Sequence, residues 1–144
     1  MKRLTEDTDW CLCGNLRKAA RVITQLYDYA YRKDGLRATQ VSVLVALHAA
    51  GPVRMNQLAH ATATDRTTLT RTLSLLKKRG YVAMEHGTDR REHRVQLTPR
   101  GAETLTQILP TWKRAQESMI KSLGRARVER FLNDLKEVVR VHCE

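Results

Sequence analysis

The chain has 144 residues, and 26 Lys and Arg against 15 Asp and Glu leave a formal charge of +11. That length fits one compact domain with an appended oligomerisation element, and 42% hydrophobic residues supply a core, which excludes a disordered basic tail. The apolar stretches are short and broken by Arg, Lys, Thr or Gln, and Met1-Lys2-Arg3 runs into acidic residues, so a soluble, cytoplasmic protein without membrane span or export segment is expected.

The first predicted helix runs from about Thr8 to Lys33, with Leu16, Ala19, Ala20, Ile23, Tyr27 and Ala30 at three- and four-residue spacing and Gly35 as its end. Thr39 is the predicted cap of a second helix carrying Val41, Leu44, Val45 and Leu47, closed by Gly51-Pro52. Asn56 is the predicted cap of a short third helix around Leu58 and Ala59. After the turn Thr62-Ala63-Thr64, a fourth helix spans roughly Asp65 to Arg79, with Leu69, Leu73 and Leu76 inward and Gly80 as its stop. The period then changes to alternation: Tyr81–Glu85 and Arg94–Leu97 read as strands around the charged tip 87–93, a hairpin with a long loop. Thr98-Pro99 opens a fifth helix as cap and first helical residue. Its apolar positions Leu105, Ile108, Leu109, Trp112, Ala115, Met119 and Leu123 continue past Pro110, which should bend it. A last helix after Gly124 carries Val128, Phe131, Leu132, Leu135, Val138 and Val139.

Two helices across a tight turn, followed by a hairpin, define a winged helix-turn-helix: a mainly α fold with a small β wing, flanked by dimerisation helices. The expected division is a DNA-binding lobe at 36–100, with dimerisation helices at 8–34 and 101–144. These long flanking helices carry more apolar surface than the lobe can cover, and a second copy is the simplest partner for it. A positive excess of this size favours a polyanion, nucleic acid before acidic membrane. Residues 65–101 hold nine basic and four acidic side chains. Thr67, Thr68, Thr70 and Arg71 fall mostly opposite the leucine face of the fourth helix, where their donors reach base edges in a major groove. Arg66 serves a phosphate or a base, and Lys77 either a phosphate or a solvated face. At the hairpin tip, a narrow minor groove attracts the guanidinium of Arg90 or Arg91, and a phosphate suits the other.

The segment Asp89-Arg90-Arg91, with Val95, Leu97-Thr98 and Gly101 behind it, resembles the wing signature of the MarR family of bacterial transcription regulators. Asp65-Arg66-Thr67-Thr68-Leu69-Thr70-Arg71, with Leu76 and Arg79-Gly80-Tyr81-Val82, is similar to that family's recognition helix. The resemblance covers essentially the whole chain. It implies a homodimer on double-stranded DNA with a pseudo-palindromic operator, usually a repressor released by a ligand or an oxidant and not an enzyme. It also makes Arg91 the minor-groove arginine, held by Asp89.

The cysteines, Cys11, Cys13 and Cys143, are odd in number, which argues against a disulfide framework. Cys13, Arg21, Thr24 and Tyr27 resemble the stretch of the organic-hydroperoxide-sensing (OhrR-like) branch in which a first-helix cysteine is oxidised and a tyrosine hydrogen-bonds it. Two further tyrosines of that branch fall on Arg17 and Ala38 here. Under that resemblance Cys11, Cys13, Tyr27 and Cys143 are redox candidates; read on their own, the thiols are equally inert core or interface groups. The family's other route is a small-molecule pocket between the dimer helices and the DNA-binding lobe. Trp10, Tyr27, Tyr31, His48 and Trp112 are candidates for it, as aromatic surface with polar handles for phenolic or aromatic carboxylate ligands. No cofactor is expected, and neither the cysteines nor the five histidines show metal-ligand spacing. Two other functions stay open: a nucleoid- or RNA-binding winged helix without sequence preference, and a thiol-dependent enzyme using Cys13, for which no Cys–His pair is recognisable.

Overall fold

The computed structural model describes residues 9–86 and 93–142. Helix α1 (Leu12–Tyr31) passes into a single 3-10 turn (Arg32–Asp34) and stops at Gly35, whose φ of 65° only glycine adopts without strain. The remaining helices are α2 (Ala38–Ala50), α3 (Met55–Ala61), α4 (Arg66–Lys78), α5 (Pro99–Leu123) and α6 (Arg125–His142). Strands β2 (Val82–His86) and β3 (His93–Leu97) form the expected hairpin, each placed one residue from its sequence prediction. A third strand, β1 (Val53–Arg54), pairs antiparallel with β3, giving the order β1-β3-β2. Two residues carry no legible alternation, so β1 exists only through its register with Val95 and Arg94.

The predicted caps of α2 and α3 are corrected. Arg37, not Thr39, is the N-cap of α2; Gln40 Oε1 accepts from the Arg37 N–H at 3.0 Å. The next N–H, of Ala38, donates to Asp28 Oδ1 at 2.7 Å, so α1 supplies part of the cap across the interior. Arg54, not Asn56, is the N-cap of α3, with Gln57 Oε1 accepting from its N–H at 3.1 Å. In both cases a glutamine three residues into the helix reaches back to accept from the N-cap residue's own N–H, the glutamine half of a capping box. Asp65 and Thr98 cap α4 and α5 as the sequence predicts, accepting from the Thr68 and Gly101 N–H groups at 2.9 and 3.0 Å. Pro110 lies inside α5, which runs on through it.

The core gathers Leu44 and Leu47 of α2, Leu58 of α3, Leu69, Leu73 and Leu76 of α4, and Val82 and Val95 of the hairpin, all at most 2% exposed. Tyr31 and Ile108 extend it to α1 and α5. One junction is unusually tight. Gly101 in the first turn of α5 lies against the Tyr81 carbonyl, so a Cβ there would overlap that oxygen and come 2.7 Å from Leu97 Cδ1. The same carbonyl accepts from the Thr98 N–H at 3.0 Å, locking wing and helix together. Beyond Ala115 no described residue is buried, and α6 packs chiefly on the end of α5.

Candidate nucleic-acid interface and adjoining cavity

Helix α4 divides cleanly into two faces. Leu69, Leu73 and Leu76 are fully buried, and Arg66, Thr67, Thr68, Thr70, Arg71 and Lys77 are all exposed. At about 100° per residue, Thr67 and Arg71 point directly away from the leucines, and so do Ser74 and Lys78. Neither of those two is among the candidates drawn from the sequence, although the i, i+4, i+7, i+11 spacing from Thr67 puts them on the same exposed face. Arg66 and Lys77 sit nearer the edge of the buried face, a placement suited to phosphates.

The Asp65 carboxyl titrates below the ordinary aspartate range because the Thr68 side chain and N–H donate to it. Its negative charge holds the first turn of α4, and the Leu69 N–H donates to the Asp65 carbonyl at 3.0 Å. Thr70 Oγ1 donates back to the Arg66 carbonyl at 2.7 Å and Thr72 Oγ1 to Thr68 at 3.0 Å. With its proton engaged, Thr70 is left to accept from a base amino group.

Arg79, the last of the basic run, has a structural task. It donates to the Gly35 carbonyl at 2.6 Å and ties the end of α4 to the turn after α1. At the base of the wing, Glu85 faces Arg94 across the ladder, and Gln96 Nε2 donates to Glu85 Oε1 at 2.5 Å. Asp89, Arg90 and Arg91 lie outside the described residues, as does Cys143.

Between α1, α2, α3 and α5 lies a cavity of about 600 Å³. Of the five ligand candidates it brings together Tyr27, Tyr31 and Trp112. Trp10 is 91% exposed ahead of α1 and His48 is exposed on the last turn of α2, and neither lines it. Its lining carries the hydroxyls of Tyr27 and Tyr31, the indole of Trp112, and the hydroxyls of Thr24, Ser42 and Thr62, three residues the sequence did not single out. The Tyr27 hydroxyl donates to Gln116 Oε1 at 2.6 Å, joining α1 to α5. The Tyr27 and Tyr31 rings lie 6.0 Å apart, and burial pushes both phenols up, Tyr31 to about 12, so both stay protonated at neutral pH. A smaller space of about 250 Å³ shares Tyr31, Val41, Val45 and Trp112 with the cavity and continues between α2 and α5 against Leu105 and Ile108.

The thiols fall elsewhere. Cys11 is the N-cap of α1, its Sγ accepting from the Gly14 N–H at 3.4 Å, and Cys13 is exposed one residue inside the helix. Tyr27 is fourteen residues further along, about 21 Å at 1.5 Å per residue, so within one chain its hydroxyl cannot meet Cys13. Its partner is Gln116.

A three-helix lobe whose exposed, cation-bearing fourth helix precedes a three-stranded wing is a winged helix-turn-helix DNA-binding regulator. Residues 34–92 match the MarR family. The chain is similar to the HTH-type transcriptional repressor NicR of Pseudomonas putida, at 32% identity over 110 residues, 76% of this chain and 70% of that protein. Among solved structures it is similar to the Mycobacterium tuberculosis transcriptional regulator MosR in complex with DNA, at 35% identity and a TM-score of 0.77, over 91% of this chain and 97% of that one. It is also similar to Bordetella bronchiseptica BpsR, whose DNA binding is regulated by 6-hydroxynicotinic acid, at 26% identity and a TM-score of 0.80, over 88% and 97%. The chain belongs to the MarR family and is a DNA-binding transcriptional regulator, not an enzyme. Among the described residues, no helix is long and apolar enough to cross a membrane.

Proposed function

We propose that this chain acts as a homodimeric repressor that binds a pseudo-palindromic operator and is released when an aromatic small molecule enters the cavity beside Trp112. The observation that carries the reading is the cavity's position. Its walls come from α1 and α5, the expected dimer arms, and from α2 and α3, which support α4. A ligand there separates the two groups of helices and changes the distance between the recognition helices of the dimer. That distance must match one DNA turn, about 34 Å, so a small shift weakens both half-sites together.

Dimerisation is supported by α6. Phe131, Leu132, Val138, Val139 and Val141 are each more than a third exposed in the single chain, a stripe that a second copy would cover. In the DNA complex α4 enters the major groove through Thr67, Thr70, Arg71 and Ser74. Arg66, Thr68 and Lys77 approach phosphates, and the wing residues Asp89, Arg90 and Arg91 reach the minor groove and the backbone beside it. Footprinting on DNA flanking the gene, followed by fluorescence anisotropy on the protected sequence with and without aromatic compounds, tests the reading. A protected palindrome supports it; uniform coverage refutes it.

Exposure of Cys11 and Cys13 at the open end of α1 favours a second reading, release by a hydroperoxide. Cys11 is the thiol in contact with the helix N-terminus, so Cys11→Ser and Cys13→Ser are compared. If both variants release the operator as wild type does on treatment with hydroperoxide, the thiols are bystanders.

A further inference from the structure

Away from the dimer arms and the cavity, one large apolar side chain stands in the open. Every other exposed large hydrophobic among the described residues lies on or just ahead of α1, or on α5 and α6, except Val45 of α2, which rims the cavity. Leu75 belongs to neither group. It is 52% exposed in the third turn of α4, between Leu73 and Leu76, which are at most 1% exposed.

A single exposed leucine is ordinary on a protein surface; the surroundings of this one are not. Its helical neighbours at i−4, i+3 and i+4 are Arg71, Lys78 and Arg79, and no acid occurs between Arg66 and Gly80. Arg79 is anchored to the Gly35 carbonyl, so the cations that reach outward beside Leu75 are Arg71 and Lys78, both exposed. The partner that fits this arrangement is a polyanion presenting a small apolar group. A membrane surface needs a broad apolar face, and α4 exposes only this one large apolar side chain. Double-stranded DNA meets the requirement at one place in its major groove, the 5-methyl of thymine.

The placement agrees. At about 100° and 1.5 Å per residue, Leu75 lies about 40° round the helix from Arg71 and about 6 Å further along it. Base pairs are about 3.4 Å apart, so a helix lying along the groove with Arg71 over one pair brings Leu75 to the second pair beyond. Thr72, one turn before Leu75, has its hydroxyl proton turned to the Thr68 carbonyl at 3.0 Å and brings no donor to that point. Contact there is left to the leucine.

We propose that Leu75 is a base-reading residue of α4, packing on the 5-methyl of a thymine about two base pairs from the pair that Arg71 meets. The half-site then requires thymine itself there, and not merely a base with the same hydrogen-bonding edge. This deepens the reading of α4 as the helix in the major groove and rests on it.

The test uses the full chain on the operator defined by footprinting, with anisotropy titrations at one salt concentration. Each thymine of a half-site, together with its symmetry mate, is replaced in turn by deoxyuridine, which removes the methyl and keeps every hydrogen-bonding group. At one such position wild type should lose about fourfold in affinity per half-site, the effect of one buried methyl. Leu75→Ala should bind the unmodified operator more weakly by a similar factor and be indifferent to deoxyuridine at that position. Leu75→Met, which keeps an apolar reach, should remain sensitive there, and at all other positions the three proteins should respond alike. Coincident urea unfolding curves check that the variants keep the wild-type fold, as a half-exposed position predicts. If deoxyuridine affects wild type and Leu75→Ala equally at every thymine, or affects neither, the proposal is overturned while a protected palindrome still upholds α4 as the recognition helix. Uniform coverage in the footprint overturns that reading and the proposal with it.

Discussion

Replacing Gly101 with alanine opposes two effects of known sign. Gly101 sits in the first turn of α5, where helix propensity alone would make alanine more stable by about 0.5–1 kcal/mol. The added methyl, however, overlaps the Tyr81 carbonyl oxygen and lies 2.7 Å from Leu97 Cδ1 and 3.1 Å from the Tyr81 carbonyl carbon. Backbone forms most of that contact, so no side-chain rotation relieves it. If α5 retreats, the 3.0 Å hydrogen bond from the Thr98 N–H to Tyr81 stretches or breaks. Overpacking of this kind costs about 1–3 kcal/mol. Leaving a donor unsatisfied costs about 1–3 kcal/mol more. After subtracting the propensity gain, the expected net loss is about 1–5 kcal/mol. Urea unfolding followed by far-UV circular dichroism, at one fixed protein concentration because a dimer's stability depends on it, measures this directly. Operator affinity should fall as well, since the junction sets the angle of the wing. An alanine variant as stable as wild type, or more so, would mean that propensity outweighs the contact, and the account of the junction would be wrong.

Asp65→Ala should lower stability through loss of the α4 cap, measured by the same unfolding curves. Because the folded-state Asp65 carboxyl titrates below its unfolded value, its contribution is complete above about pH 5 and is lost as pH falls through the folded value. Thermal melts from pH 7 to 3 should therefore show a shallower acid-side slope for Asp65→Asn, which caps without titrating. Leu132→Glu with Val139→Glu should convert dimer to monomer in sedimentation at micromolar protein, leaving the lobe folded because neither residue is buried in the single chain. In DNA binding, Arg71→Ala should relax base preference and Lys77→Ala should reduce the salt slope by about one; Arg91→Ala should weaken affinity by roughly 1–3 kcal/mol per half-site, all read by anisotropy titrations at several salt concentrations.

The leucine spacing of α4, the change of period at Tyr81 and the Thr98-Pro99 start of α5 were legible because each depends on neighbours a few residues away. Local rules also placed Thr67, Thr70 and Arg71 on the solvent side of α4, since a helix fixes which residues share a face. The caps of α2 were not legible. Asp28 reaches Ala38 only because α1 and α2 pack together, and nothing in the sequence between them records that contact. Strand β1 was hidden for the same reason, its two residues acquiring a conformation from β3 some forty positions later. The cavity divides the same way. Tyr27 and Tyr31 share a face of α1 by spacing, but that Trp112 joins them while Trp10 and His48 stay outside is decided by how α5 crosses α1 and α2. The orientation of three of the cavity's hydroxyls lies further still from the sequence. Ser42 and Thr62 turn their protons to carbonyls one helical turn back, and Tyr27 gives its proton to Gln116, eighty-nine residues away. Composition sets which hydroxyls a chain can offer; only tertiary packing settles whether they meet a ligand as donors or as acceptors.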